Sequence, residues 1–317
     1  MLISGFIIYS STNNTNNTNN TNNLPLIAIA NYGPHASLET AIKGFKMQME
    51  AKGFIENKTV RYVMADTGFE SNLIPQMLAS LALKKPTLMV VMTTPVAQAA
   101  KSTIDNIPLI YNVITDPKEA GLIPNEYTPG KNISGSSDRQ NIVAFLAFAR
   151  HLLPHCKKIG LLYSSVEAND IALLNMMQLS TTQLGMELVA IPVEQARELP
   201  FRMQAFNGKV DCIYVGTSGA IQPSLPSIAA QAKKLHIPIF NAESQAVKEG
   251  LALASYGVDY IAVGKNAGQL AAALLHGKKV NELTPLYPTA QDHQGVINKK
   301  LAAFFKINIP SNIEIVE

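Results

Sequence analysis

Tryptophan is absent from this 317-residue chain, cysteine occurs twice, and charged residues make up only 15% of it. Two cysteines, Cys156 and Cys212, supply neither a zinc quartet nor the disulfide framework of a small secreted domain; they leave open a single bridge or a pair of buried thiols. The net charge of +3 comes from 26 basic and 23 acidic residues spread along the chain, without the blocks of like charge that mark a nucleic-acid-binding arm. Low charge with 47% hydrophobic content excludes a disordered or coiled-coil chain and indicates packed cores. No hydrophobic run reaches the ~20 residues of a spanning helix. There is no G-x-G-x-x-G after the first strand, no Walker lysine loop, no G-x-S-x-G elbow and no H-E-x-x-H. The common nucleotide-binding and serine-acylating α/β enzymes are thereby set aside, and no cofactor or metal is expected.

What is present begins with a short apolar run over 1–9 and a tandem Asn/Thr repeat over 11–23, neither able to build a core. Residues 1–23 read as an export signal remnant and flexible spacer, although they carry no Lys or Arg, and no lipid-anchor cysteine follows the run.

From Leu24 onward, β-branched apolar runs alternate with helical stretches, the pattern of parallel α/β architecture. Strands are expected at 26–30, 60–65, 87–92 and 108–113, with helices at about 38–53, 71–83 and 95–103 between them. In the first helix Leu38, Ala41, Ile42, Phe45 and Met49 form one apolar stripe. A second round follows: strands at 158–163, 187–192, 211–215 and 237–240, with helices at about 168–184, 199–206 and 224–235. The tail offers a strand at 251–255, a helix at about 260–276, a segment near 285–289 and a helix at 297–305. The repeat implies two similar doubly wound parallel-sheet lobes joined by hinge crossings. Lobe 1 is assigned to 24–137 plus about 255–284, and lobe 2 to 138–254 plus about 285–317.

Ligands of open parallel sheets bind at the carboxyl ends of the strands, where helix N-termini present free N–H groups, so the expected site is the cleft between lobes. The strand-to-helix corners therefore carry the candidates. Thr93-Thr94-Pro95 places a hydroxyl and a proline at a helix start, which is either a cap or a ligand contact. Ser165, Glu167 and Asn169 occupy the equivalent corner of the second round, denser in hydrogen-bonding groups than a cap requires. Together these corners suit an α-carboxylate, with Glu167, Asp116 or Glu243 taking an ammonium group. Tyr32, Tyr163 and Tyr256 stand where an aromatic ligand would meet rings, or else are packed lobe residues. His151 and His155 with Cys156 have a spacing that could serve a metal, but Pro154 between them points to a helix end.

Several strings in order together resemble the ABC transporter substrate-binding family whose members bind aromatic amino acids such as tryptophan or phenylalanine. They are His35-Ala36-Ser37-Leu38 with Gly44-Phe45, Thr94-Pro95-Val96-Ala97-Gln98-Ala99, Thr115-Asp116-Pro117, Asn132-Ile133-Ser134-Gly135, Ser164-Ser165 with Glu167-Ala168-Asn169, and Tyr256-Gly257-Val258-Asp259-Tyr260 before Gly264 and Gly268. The resemblance spans about residues 25–316. It implies a type I periplasmic-binding-protein fold, a periplasmic or otherwise extracytoplasmic location, an amino-acid ligand, an inner-membrane ABC permease as partner, a monomer, and no enzymatic activity. It also implies ligand contacts at His35, Thr94, Thr115, Asp116, Ser165, Glu167 and Asn169; Pro95 and Ser218 lie in the same corners. Where the family usually shows Thr-Asp-Asn, this chain has Thr217-Ser218-Gly219, and Glu243 is the acidic residue that could substitute. The same scaffold also carries ligand-sensing domains and, with His35 and Asp116 or Glu167 as acid and base, would suit an isomerase.

Overall fold

A computed structural model of the protein describes residues 24–317 apart from residue 312; the assignment of 1–23 as signal remnant and spacer lies outside the described residues. The chain divides into two compact units. The first runs through residue 139 and resumes over Tyr260–Pro288; the second holds Gln140–Asp259 and Thr289–Glu317.

The first unit is built on β1 (Leu26–Asn31), β2 (Arg61–Asp66), β3 (Leu88–Met92), β4 (Leu109–Ile114) and β5 (Ile133–Ser137). All pair in parallel, in the order β2-β1-β3-β4-β5. Because side chains alternate across a strand, Ala28, Ala30, Met89, Val91, Leu109 and Tyr111 join one core with α2 (Ile74–Ala82) and α3 (Thr94–Thr103). Ile27, Ile29, Leu88, Val90 and Ile110 are buried on the other face, where α1 (Ala36–Ala51) packs along α9 (Tyr260–Leu275). The two helices touch backbone to backbone: a Cβ at Gly264 would lie 1.9 Å from the Ala41 carbonyl oxygen, and one at Gly44 2.3 Å from that of Ile261.

The second unit contains α4 (Ile142–Leu152), β6 (Lys158–Tyr163), α5 (Ala168–Gln183), β7 (Glu187–Pro192), α6 (Leu199–Gln204), β8 (Cys212–Val215), α7 (Leu225–Leu235), β9 (Ile239–Asn241), α8 (Ser244–Lys248) and β10 (Ala254–Val258). After α9 in the first unit, β11 (His293–Asn298), α10 (Lys299–Phe305) and β12 (Glu314–Val316) complete it. Its sheet runs β12-β11-β10-β9-β8-β6-β7, with β10 and β11 antiparallel. The stretch β7-β6-β8-β9-β10 repeats the 2-1-3-4-5 order of the first unit. Ile159, Leu161, Cys212 and Tyr214 face one core, while Leu162, Ile213 and Val215 face another on the opposite side. Both faces of this sheet are therefore covered, as a doubly wound sheet requires.

The sequence expectation lacked β5, α4, α8 and β12, and three further segments are placed differently from it. Residues 255–258 belong to β10, which pairs with β9 through Ala254 and Phe240, so this strand lies in the second unit rather than lobe 1. Residues 285–288 stay with the first unit, since the Leu286 N–H donates to the Gly135 carbonyl at 2.9 Å and its carbonyl accepts from Ser137 N–H at 2.9 Å. The helix expected at 297–305 begins at Lys299, because 293–298 is paired as β11 and the Asn298 side chain caps the helix from Leu301 N–H at 2.9 Å.

Candidate functional site

A 2-1-3-4-5 sheet reverses direction of winding between its strands 1 and 3, and the crevice outside the carboxyl ends of those strands is the ligand site of such folds. Here the crevices fall between β1 and β3 in the first unit and between β6 and β8 in the second.

In the first unit, Asn31 ends β1 and turns its amide onto the Gly33 carbonyl at 2.8 Å, leaving its buried Oδ1 without a partner. Tyr32 is buried edge-on against Phe69, with ring centroids 5.5 Å apart, so it is a wall of the unit's core. His35 is the N-cap of α1, its Nδ1 accepting from Ser37 N–H at 3.4 Å. After β3, Thr93 is held at φ 72°, a strained left-handed backbone for a β-branched residue, and its buried hydroxyl has no partner. Thr94 and Pro95 open α3, with Thr94 buried. At the end of β4, Val113 has φ 59° beside a break in strand register, and the neighbouring buried Asn112 amide nitrogen has no partner. Strain and orphaned polar atoms thus gather at the carboxyl end of this sheet.

Asp116 is otherwise engaged. Its Oδ1 accepts from Lys118 and Glu119 N–H at 3.0 and 3.1 Å, and its Oδ2 pairs with Arg139 at 2.8 Å. Arg139 also pairs with Glu126 and lies over the Tyr287 ring at 4.8 Å. Asp116 therefore fastens the turn after β4 to the end of the first unit. Thr115 beside it is buried, its carbonyl accepting from the Ser137 hydroxyl at 3.3 Å.

In the second unit the corner after β6 brings the predicted residues together. Glu167 is the N-cap of α5, yet its carboxylate caps nothing. Its Oε2 instead accepts from Gly219 N–H at 3.1 Å, from the Asn169 amide at 3.3 Å and from the Ser218 hydroxyl at 3.4 Å, linking the loops after β6 and β8 across the crevice. Buried oxygens of Ser164 (Oγ) and Asn169 (Oδ1) have no partner. Ser165 is exposed beside them. Beneath lies Asp170, a residue the sequence reading passed over. It is 2% exposed and accepts from Ser164 N–H at 2.5 Å. Burial, and then the neighbouring Glu167 charge, push its carboxyl up to about 7. The signal for it was present, since an acidic residue in the first turn of a helix is stabilised by the helix dipole.

Glu243 is buried at the start of α8, after β9; its N–H donates to Asn241 Oδ1 at 2.8 Å. Asn241 also accepts from Gln222 at 3.2 Å and keeps an unpartnered buried amide nitrogen. Tyr256 stands apart from the corner: it stacks on His293, centroids 6.0 Å apart, and packs on Phe148 at 5.5 Å. Tyr163 likewise packs against the core of this unit. His151 lies in the last turn of α4 and His155 beyond it; among the described residues no group of three His, Cys, Asp or Glu is placed to hold a metal ion. No helix among the described residues is long and apolar enough to cross a membrane.

Two α/β units of the same winding, each with a polar corner at its switch point and connected by a chain that passes between them three times, define the type I periplasmic-binding-protein class. The chain belongs to the ABC transporter substrate binding protein family, whose model matches residues 26–316. It is 32% identical over 257 residues to a tyrosine-binding protein of Clostridioides difficile (strain R20291), a match covering 81% of this chain and 74% of that one. Among solved structures, it is similar to an ABC domain from Streptococcus pneumoniae in complex with L-Trp, with TM-score 0.86 and 25% identity over 92% of this chain and 100% of that one. It is also similar to a ligand-free, open substrate-binding protein with adhesive properties from Clostridium difficile, with TM-score 0.73 and 27% identity, covering 93% and 99% of the two chains.

Proposed function

We propose that this protein captures a free amino acid, aromatic ones favoured, outside the cytoplasm and presents it as a monomer to the membrane permease of an ABC importer. The observation that carries the reading is Glu167: an N-cap carboxylate that leaves its own helix uncapped and is instead aimed by Asn169, Ser218 and Gly219 across the second unit's crevice. A ligand ammonium is the natural counter-charge for such a group. Of the three acidic candidates, Asp116 is engaged by Arg139 and by two backbone N–H groups, which favours Glu167 for that role.

The α-carboxylate is assigned to the start of α3, where first-turn N–H groups and the unpartnered Thr93 hydroxyl converge next to Thr94 and Pro95. His35, Thr115, Ser165 and Asn169 complete the contacts. The relatives that bind tyrosine and L-Trp support an aromatic side chain. Tyr32 and Tyr256, both held in ring contacts within their units, are assigned to shaping the walls rather than gripping the ligand.

A thermal-shift screen of the protein against the common amino acids, after unfolding and refolding to strip co-purified ligand, tests this reading. At a thousandfold excess over Kd, the true ligand stabilises by about 4 kcal/mol, roughly ten degrees in the unfolding midpoint. A selective rise with Trp, Tyr or Phe is expected; a midpoint indifferent to every amino acid contradicts the ligand class.

A further inference from the structure

The sulfurs of Cys156 and Cys212 lie 3.6 Å apart at the end of the second sheet opposite the Glu167 corner. Cys212 is the first residue of β8, and Cys156 sits in the turn that leads from α4 into β6. That turn is held against β8 by Asp211, whose Oδ2 accepts from the N–H groups of Lys157 and Lys158 at 2.7 and 2.8 Å. Cys212 is wholly buried and Cys156 is 3% exposed. A cavity of about 350 Å³, lined by His151, Pro154, His155, Asp211 and Lys306 among others, reaches Cys156 and not Cys212.

We propose that Cys156 and Cys212 form a dithiol that closes to a disulfide by exchange with an external disulfide, Cys156 being the entry sulfur and Cys212 the resolving one. The Cys156 thiolate attacks one sulfur of a small disulfide oxidant that enters the cavity, forming a mixed disulfide and expelling the first thiolate, which takes up a proton. Cys212 then gives up its proton and attacks the Cys156 sulfur, expelling the second thiol. Two protein thiols are oxidised to one disulfide, and one oxidant disulfide is reduced to two thiols. The asymmetry of the pair fits this order: the hydrogen bond from Cys212 holds the Cys156 thiol below its ordinary value, while donating that bond, together with burial, pushes Cys212 up. Closing the bond to ~2.05 Å requires the sulfurs to approach by roughly 1.6 Å, a movement the turn bearing Cys156 can supply. The bridge would join residues 56 positions apart and restrict the unfolded chain over that span.

The test uses the whole protein and oxidised glutathione as the probe, followed by unfolding, thiol alkylation and peptide mass analysis. Expected are two alkylated cysteines in the reduced protein, none after oxidation, and a peptide pair linking Cys156 to Cys212. The oxidised form should unfold on the order of 5 to 10 °C higher, reversibly with dithiothreitol. Cys212→Ser should arrest the exchange as a glutathione adduct on Cys156. Two free thiols after oxidation, or a glutathione adduct persisting on the wild type, would overturn the proposal, as would a Cys212→Ser protein whose Cys156 takes up no glutathione.

Discussion

Asp170 and Glu167 are three residues apart at one helix start but stand in different surroundings, and that difference is measurable. The Asp170 carboxyl is raised from 3.8 to about 7 by burial and by the Glu167 charge. Between those values the folded protein holds a proton that the unfolded chain has lost. The stability contributed by this group is therefore complete below about pH 4 and is lost as pH rises through 7. Asp170→Asn keeps an oxygen for the Ser164 N–H and removes the charge. The variant should gain on the wild type between pH 5 and pH 8, by an amount on the order of a few kcal/mol in denaturant titrations. A difference independent of pH would show that Asp170 titrates normally. Glu167→Gln should lower amino-acid affinity about 10- to 100-fold in calorimetric titration with little change in unfolding midpoint, since a hydrogen bond to a charged group contributes about 1.5–3 kcal/mol. Equal affinities for the two proteins would remove Glu167 from the ammonium site. That Glu167 and Asn169 share one corner was legible because polar residues crowd one strand-to-helix turn. The engagement of Asp116 was not, because its partner Arg139 lies 23 residues away and only folding brings them together.

Strands β1, β3, β6 and β8 announce themselves by apolar β-branched runs, and helices α1 and α9 by their buried stripes. By contrast, β5 reads Ile-Ser-Gly-Ser-Ser and is nonetheless buried throughout. Two of its three serines are accommodated by bonds that sequence does not display: Ser134 donates to the Leu283 carbonyl at 2.6 Å and Ser137 to that of Thr115 at 3.3 Å, while the buried Ser136 hydroxyl has no partner. Similarly β11, His-Gln-Gly-Val-Ile-Asn, lacks a continuous apolar run and is defined by antiparallel pairing with β10. Two substitutions test elements directly. Gly264→Ala drives a Cβ into the Ala41 carbonyl and should destabilise by about 1–3 kcal/mol, lowering the midpoint by several degrees; an unchanged midpoint would mean that α1 and α9 part without cost. Thr93→Gly relieves the φ of 72° at the start of α3 while deleting the hydroxyl. Its midpoint should hold or rise while amino-acid affinity falls, and a clear loss of stability would contradict strain at this position.

At the scale of the whole molecule, duplication was readable because each round of strands and helices carries the same order, which the sheets repeat as 2-1-3-4-5. Where the chain passes from one unit to the other was less readable. The passages fall at 139/140, 259/260 and 288/289, in segments whose allegiance is set by strand pairing rather than composition. If ligand contacts from both units latch them together, small-angle scattering should show a smaller radius of gyration with ligand than without.

The absence of tryptophan makes one experiment especially direct. Protein stripped of ligand is titrated into a fixed, low concentration of L-Trp, and the fluorescence anisotropy of the indole is followed under selective excitation. A saturable rise with one-to-one stoichiometry, reversed by excess L-Tyr or L-Phe and weakened in Glu167→Gln, is the predicted result. Free-ligand anisotropy at every protein concentration, together with no heat on titrating L-Tyr or L-Phe, would contradict the aromatic amino-acid site.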